Sequence, residues 1–167
     1  MKHIHFDIID STNKYLKENY KTLEHLTIVT ANYQTHGRGQ FDRIWDSNQG
    51  ENLICSILLK EKSSFDSIKT KLNIVKYIKS ILQTYNIQSS FKIPNDIYVK
   101  ERKIAGILIE SEVIQDDIQY VVIGIGLNVN QRMFGNYPAT SIASETTKEI
   151  DLVQFTNKFI QGLYKLV

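Results

Sequence analysis

Between residues 121 and 130 the chain reads Val121-Val122-Ile123-Gly124-Ile125-Gly126-Leu127-Asn128-Val129-Asn130. A β-strand alternates its side chains between two faces, so one face of this segment would be purely apolar. The other face would carry Gly124, Gly126, Asn128 and Asn130. Glycine weakens a strand and often marks a place where another group approaches the backbone. The segment therefore predicts a strand with one core face and one ligand-facing surface, on which Asn128 supplies hydrogen bonds.

The two closely spaced glycines do not predict a dinucleotide site. That fingerprint needs a third glycine, where this chain has Val129, and a helix directly after it.

The neighbouring segments predict a sheet with helices. Residues 104–114 read as a strand that returns through a turn at 115–117, and residues 4–9, 27–33 and 53–60 read as further strands. Apolar residues at spacings of three and four predict helices over 65–85 and 152–166, and capping residues at 10–13 precede a short helix over 14–20. We predict one α+β domain over residues 1–167, with a mixed, mostly antiparallel sheet and helices on one side.

The amino-acid composition and the charge limit the classes of protein to which the chain can belong. The chain has 167 residues, 42% of them hydrophobic, and a net charge of +2, too small to predict a nucleic-acid partner. Its single cysteine, Cys55, lies in an apolar run and is expected to be a core thiol in a reducing compartment. The sequence shows neither a secretory signal nor a run long enough to span a bilayer, so we predict a cytoplasmic protein without membrane contact.

A long polar loop over residues 34–52 follows the second predicted strand. Its glycines at 37 and 39 let backbone N–H groups approach an anion, and Arg38 and Arg43 can bind carboxylate or phosphate. Trp45 offers a flat face for a ring. From these residues alone, a ligand-binding loop and a solvated basic loop, or one touching RNA, are equally good interpretations.

A proline turn and a strand start supply further candidate groups. Asn95 and Asp96, directly after Pro94, carry oxygens suited to Mg²⁺ or to a general base, although Asn-Asp after proline is more often ordinary turn chemistry. Lys103 stands at the entrance of the strand over 104–114, where a lysine can face phosphate, although a surface lysine is the usual case.

Taken together, the segments resemble the biotin protein ligase family over nearly the whole chain. The matching motifs are Ser11-Thr12-Asn13, Gln34 to Trp45, Gly50-Glu51-Asn52-Leu53, Lys92-Ile93-Pro94-Asn95-Asp96, Arg102 to Glu110, Gly124 to Asn130 and Ala139-Thr140-Ser141. Each motif is weak alone, but their order and spacing are specific.

The resemblance implies a class II synthetase-like fold and a two-step reaction. Biotin is adenylated with ATP and Mg²⁺, and biotin then passes to a lysine in the biotin carboxyl carrier domain of a biotin-dependent carboxylase. It implies catalytic roles for Lys103, Arg38 and Asp96, with Asp96 also the candidate Mg²⁺ ligand. Biotin contacts are implied for Ser11, Thr12, Asn13, Gln34, Gly37, Arg38, Gly106, Gly124 and Gly126. Contacts to ATP or the adenylate are implied for Arg38, Gln40, Arg43, Trp45, Lys103 and Asn128.

The sequence departs from the family pattern at several positions. Gln40 stands where an arginine is common, Asp42 where a glycine is common, and Ile93 where a tryptophan is common. Gln40 and Asp42 leave less fixed positive charge in the loop than the family pattern does. We therefore expect weaker retention of the adenylate. We also expect neither an N-terminal DNA-binding domain nor the small C-terminal β-domain of relatives.

Other functions remain open on these residues. A non-catalytic module that sequesters biotin or its adenylate would keep Ser11, Thr12 and Gln34 but would need neither Lys103 nor Asp96. A lipoate-type ligase would show a different arginine- and glycine-rich signature, which is not found. An RNA-binding domain lacks an identifiable aromatic platform and ranks last.

Overall fold

A computed structural model of the chain describes residues 2–40, 43–60 and 65–166. Its seven strands are β1 (His3–Ile9), β2 (Ile28–Gln34), β3 (Asn52–Lys60), β4 (Ser90–Lys92), β5 (Asp96–Val99), β6 (Arg102–Ile114) and β7 (Asp117–Asn128). They form one sheet in the order β1-β2-β3-β7-β6-β5-β4. Strands β1 and β2 are parallel, and the other five neighbouring pairs are antiparallel. The predicted α+β class with a mixed, mostly antiparallel sheet is confirmed.

Four helices complete the described structure: α1 (Thr12–Asn19), α2 (Ser67–Thr84), α3 (Ile142–Thr146) and α4 (Leu152–Leu163). Each begins at a residue whose side chain accepts a hydrogen bond from a backbone N–H of the first turn. Ser11 caps α1 and Asp66 caps α2, as the chemistry of helix starts favours. The five-residue α3 was not predicted, because only Ile142 and Ala143 of it are buried.

The main hydrophobic core lies between one face of the sheet and the helices α2 and α4. Ile78 and Leu82 of α2 and Phe159 of α4 pack there with the apolar face of β7. That face consists of Val121, Ile123, Ile125 and Leu127, followed by Val129, all 2% exposed or less. The predicted core face of the strand is confirmed.

A smaller core lies on the opposite face of the sheet, beneath α1. Leu16 of α1 packs there with Val29, Leu58 and Val122, which alternate with the main-core residues along β2, β3 and β7. While α2 and α4 cover one side as predicted, α1 therefore lies on the side that carries Gly124 and Gly126. The sequence of α1 did not predict this position, because the residues buried beside Leu16 are the polar Thr12 and Asn13.

Cys55 is a core thiol, as predicted. It is 1% exposed, and burial raises the pKa of its thiol to about 12. None of the helices in the described residues is long and apolar enough to cross a membrane.

Candidate active site

A row of small residues forms the floor of the site on the α1 side of the sheet. Asp96, Gly106 and Gly126 are register partners across β5, β6 and β7. Because cross-strand partners project to the same face, the Asp96 carboxylate stands beside two positions that lack a side chain.

Trp45 lies directly against these glycines. A Cβ atom at Gly126 would come within 2.5 Å of the indole ring, and one at Gly106 within 3.1 Å of it. The glycines are therefore required because an aromatic ring approaches the strand backbone there. From the sequence we predicted that a ligand lies above these glycines. The structure shows that the protein's own Trp45 covers part of this surface.

Lys103 projects into the same place. Its Nζ atom lies 2.7 Å from Asp96 Oδ1 and 5.4 Å from the centroid of the Trp45 ring. The side chain of Lys103 is 31% exposed and that of Asp96 is 25% exposed, so solvent only partly screens their attraction. The two residues that the sequence offered as separate catalytic candidates are thus one ion pair.

The backbone of Lys103 is fixed by the segment before α3. Its N–H donates to Pro138 O over 2.8 Å, and its carbonyl accepts from Thr140 N over 2.9 Å. Asn128 Nδ2 donates to Thr140 O and, over a longer 3.5 Å, to Lys103 O. Asn128, the predicted hydrogen-bonding group on β7, therefore fixes the backbone around Lys103. Its contact with an adenine stays a prediction.

The Gly124 end of the floor is lined by hydrogen-bonding side chains. A Cβ atom at Gly124 would collide with the amide of Asn13. Thr12 donates its backbone N–H to Gln34 Oε1 over 2.8 Å, and Thr12 Oγ1 lies 2.7 Å from Ser56 Oγ. Three of the residues with implied biotin contacts, Thr12, Asn13 and Gln34, therefore lie together here, while the side chain of Ser11 caps α1; the contacts themselves stay a prediction.

The arginine loop contains a short hairpin that the absence of periodicity did not reveal. Trp45 N donates to Gly37 O over 3.0 Å, and Gly39 N donates to Arg43 O over 2.7 Å. Arg38 and Ile44 form an antiparallel bridge between them. Arg38 and Arg43 are exposed and make no ion pair with any described residue. Gln40 O accepts from Arg43 N over 3.3 Å, and Asp42, where the sequence departs from the family pattern, lies outside the described residues.

Two donors of the site lack a partner among the described residues. Trp45 Nε1 is buried without a hydrogen bond. Gln34 Nε2 makes no hydrogen bond within the described chain and lies next to Gly37, whose Cβ, if present, would be 2.9 Å away. A buried polar group without a partner is costly, so Trp45 Nε1 is suited to donate to a ligand, and the half-buried Gln34 keeps its amide N–H groups available to one.

Three residues of the site were not singled out from the sequence. Ser56 lies within an apolar strand, and Glu110 ends a quoted motif without an assigned role. Lys17, whose Nζ lies 2.6 Å from Glu110 Oε1, lies within the short helix predicted over 14–20. The alternation of β3 could have shown Ser56, because it shares its face with Leu58 of the smaller core rather than with the main core.

Asp96 is the one residue of the site that was predicted as a metal ligand. The described residues contain no group of three or more His, Cys, Asp or Glu side chains that could hold a metal. Mg²⁺ commonly uses only one or two protein carboxylates together with substrate phosphates, and Asp96 can supply one.

A separate depression of about 880 Å³ lies at the far end of α2, next to α3. Tyr85, Val99, Lys100 and Glu145 are among the residues that line it. None of the predicted site residues does, so its size is no argument for placing the chemistry there.

Known proteins share both the sequence and the fold. A model of the biotin/lipoate A/B protein ligase family matches residues 5–128. The bifunctional ligase/repressor BirA of Bacillus subtilis is 34% identical over 158 residues, which cover 89% of this chain and 48% of that protein. BirA of Escherichia coli is 35% identical over 127 residues, 75% of this chain and 40% of that protein.

Solved structures agree with these relatives. A biotin protein ligase from Aquifex aeolicus in complex with biotin and ATP superposes with a TM-score of 0.83 at 30% identity. The match covers 98% of this chain and 69% of that one. The chain spans about half the length of the curated relatives named above. Because the family model covers most of the chain and the glycine-floored site lies within the matched residues, this chain belongs to the biotin/lipoate A/B protein ligase family.

Proposed function

We propose that the chain carries the catalytic domain of a biotin–protein ligase. It would adenylate biotin with ATP and transfer the biotinyl group to a lysine of a biotin carboxyl carrier domain. The observation that carries the proposal is the arrangement of one surface. A glycine floor runs between an end rich in hydrogen-bonding groups, at Thr12 and Gln34, and an ionic end, at Lys103 and Asp96.

This surface has the polarity of biotin itself. Biotin carries a ureido ring at one end and a carboxylate at the other, with an apolar part between them. Neutral donors and acceptors suit the ureido group, while the Lys103 ammonium and the exposed Arg38 suit the carboxylate. The Aquifex aeolicus biotin protein ligase, solved with biotin and ATP, supports the same assignment.

In the first step, a carboxylate oxygen of biotin attacks the α-phosphorus of ATP. A new O–P bond forms, the bond to the β-phosphate oxygen breaks, and pyrophosphate leaves. Negative charge accumulates near phosphorus, so preorganised cations lower the barrier. Lys103 is held at the site by its backbone contacts, and Arg38 and Arg43 have no competing ion pair in the described residues. Magnesium would enter as the complex of ATP.

In the second step, the amine of the carrier lysine attacks the acyl carbon, and AMP leaves with the electron pair of the broken C–O bond. The attacking nitrogen must lose a proton. When Lys103 turns from Asp96 towards phosphate, the Asp96 carboxylate loses its partner and can accept that proton. The ion pair of the free protein thus supplies both a cation for the first step and a base for the second.

The module that only sequesters biotin is the second candidate. It is favoured by the exposed arginine hairpin, which could hold an adenylate without promoting its reaction. It explains Lys103 as a partner for the ligand carboxylate or phosphate but gives no reason for Asp96, whose carboxylate lies 2.7 Å from the Lys103 ammonium and would compete with an anionic ligand for it.

The test is to follow pyrophosphate exchange into ATP with biotin or with lipoate, and then transfer of labelled biotin to a carrier domain. A biotin ligase gives exchange and transfer with biotin only. Exchange with lipoate would replace the proposal with a lipoate ligase. Tight biotin binding without exchange would establish the sequestering module.

A further inference from the structure

A chain of hydrogen bonds connects an ion pair at the edge of α1 to the ureido end of the site. We infer that the Lys17–Glu110 pair fixes the direction of every hydrogen bond in this chain, so that Thr12 faces a ligand as an acceptor and Gln34 as a donor. The inference rests on the proposed function and adds positioning residues that act on biotin through others.

The direction is set at Glu110. Its Oε1 accepts from Lys17 Nζ over 2.6 Å, and its Oε2 accepts from Asn13 Nδ2 over 2.7 Å. An ionised carboxylate has no proton to donate. Asn13 must therefore present its NH₂ group to Glu110 and its carbonyl oxygen to the opposite side, which faces Ser56.

Ser56 passes the direction on. Its Oγ donates to Asn13 Oδ1 over 2.6 Å, which uses the single proton of the hydroxyl. The oxygen of Ser56 is then left as the acceptor in its 2.7 Å contact with Thr12 Oγ1. Ser56 is 1% exposed, so bulk water does not compete for its hydroxyl.

Thr12 has one hydroxyl proton for two neighbours. Its Oγ1 lies 2.7 Å from Ser56 Oγ and 3.0 Å from Gln34 Oε1. Both neighbours can only accept, since Ser56 has used its own proton and Gln34 Oε1 has none, and the shorter contact draws the Thr12 proton towards Ser56. Gln34 Oε1 is held by the Thr12 backbone N–H instead, over 2.8 Å.

This leaves two complementary groups at the ligand end. Thr12 Oγ1 keeps a lone pair that can accept, and Gln34 Nε2, turned away from Thr12 towards Gly37, can only donate. In a urea, the N–H groups donate hydrogen bonds and the carbonyl oxygen accepts them. The ion pair thus selects the arrangement of protons that matches a ureido ring.

The alternative is that Lys17 and Glu110 merely anchor α1 to β6. Lys17 is one turn beyond Asn13 on the same helix face, so a purely structural role is plausible on geometry. The two roles differ in what they affect. Anchoring influences folding, whereas hydrogen-bond direction influences biotin and leaves ATP untouched.

The test starts with Glu110→Gln, which keeps the shape and removes the charge. Lys17 then attracts the amide oxygen of the new side chain, so its NH₂ group faces Asn13 and reverses the chain of hydrogen bonds. We expect the biotin Kd, measured by calorimetry, to rise about tenfold. The KM for ATP in pyrophosphate exchange should not change.

The double variant Lys17→Met with Glu110→Gln distinguishes direction from anchoring. Without the cation, the glutamine can turn its oxygen towards Asn13, and biotin affinity should recover to within about threefold of the wild type. Glu112→Gln is the matched control, because it removes a charge two residues along the same strand and makes no described ion pair. Its biotin Kd should equal that of the wild type.

Ser56→Ala gives a second route if Glu110→Gln does not fold. It breaks the chain of hydrogen bonds in the middle and should weaken biotin to a similar degree with an unchanged KM for ATP. A wild-type chain that binds no biotin would refute the proposed function. A wild-type chain that binds biotin, with Glu110→Gln binding it equally well or with the double variant as weak as the single one, would refute only the directional role.

Discussion

Lys103 is already placed at the site before any ligand binds, because Asp96 holds its ammonium group and Pro138 and Thr140 hold its backbone. We expect Lys103→Met to lower biotin-dependent pyrophosphate exchange about a hundredfold, since one preorganised charge is removed. Stability should change little, because a partly exposed ion pair contributes about 1 kcal/mol or less.

Lys76→Met, on the exposed face of α2, is the matched control for this substitution. Its exchange rate should equal that of the wild type. Near-normal exchange in Lys103→Met would remove this residue from the reacting centre.

Gly126 is the residue on which the position of Trp45 depends. In Gly126→Ala the added methyl group would lie 2.5 Å from the indole, so the ring must move away from the strand. Overpacking of this kind lowers the free energy of unfolding by about 1–3 kcal/mol. Because the displaced ring no longer lines the glycine floor, we also expect biotin affinity to fall.

Tryptophan fluorescence reports this displacement directly, because Trp45 is the only tryptophan in the chain. We expect its emission to shift to longer wavelength in Gly126→Ala. An unshifted emission together with normal biotin binding would mean that the ring accommodates the methyl group.

Part of the arrangement of the site residues could be predicted from the sequence, and part could not. Strand alternation with glycines at 124 and 126 was sufficient to predict a ligand-facing surface. It could not show that Trp45 covers this surface, because residues 34–52 have no periodicity that fixes their path. Nor could it show that Lys103 and Asp96 touch, because their contact depends on the pairing of β5 with β6.

Among the elements, the hairpin of the arginine loop rests on few backbone hydrogen bonds and projects two exposed cations, Arg38 and Arg43. We predict that these cations gain partners when a carboxylate and a phosphate bind. We expect trypsin to cut after Arg38 and Arg43 in the free protein, and biotin with ATP to slow this cleavage at least tenfold.

Cleavage after Lys100, in the turn between β5 and β6, is the internal control, because this lysine is exposed and none of the predicted ligand contacts involves it. Its rate should be the same with and without ligands. Equal protection at Lys100 would point to a general stabilisation rather than to closure of the hairpin.

The contact between α2 and α4 depends on the absence of a side chain at Gly162. A Cβ atom there would collide with the hydroxyl and ring of Tyr77, whose Oη donates to Phe159 O over 3.0 Å. We expect Gly162→Ala to lower the free energy of unfolding by about 1–3 kcal/mol. Chemical denaturation measures this change, and biotin affinity should not alter.

Adding Tyr77→Phe to Gly162→Ala relieves the collision with the hydroxyl. The double variant should therefore be less destabilised than the sum of the two single variants. Strict additivity would show that Tyr77 and Gly162 are not coupled.

The predictability of the elements follows their length and patterning. Helices α2 and α4 bury apolar residues at helical spacing, so sequence periodicity revealed them. The position of α1 on the other face could not be predicted, because its inward side is largely polar and serves the site. A functional helix of eight residues is too short and too polar for periodicity to show which side of the sheet it covers.

In the molecule as a whole, the two cores share the central strands of the sheet. Ile57 and Ile123 face the main core, while their neighbours Leu58 and Val122 face the smaller core beneath α1. Unfolding the smaller core would therefore expose strands that the main core needs. This coupling predicts a single cooperative transition in which the site and the main core unfold together.

A ligand that binds only the folded state should then shift the entire transition. At about one hundred times its Kd, a ligand adds about 2.7 kcal/mol of stability. For a domain of this size that corresponds to a rise in Tm of roughly 5–10 °C. We expect this shift with biotin and ATP, and none with octanoate and ATP, because octanoate has no ureido group for Thr12 and Gln34. Scanning calorimetry gives the shift and the number of transitions together. Two transitions, of which biotin moves only one, would show that α1 and the smaller core unfold on their own, and that the shared strands do not couple the site to the rest of the sheet.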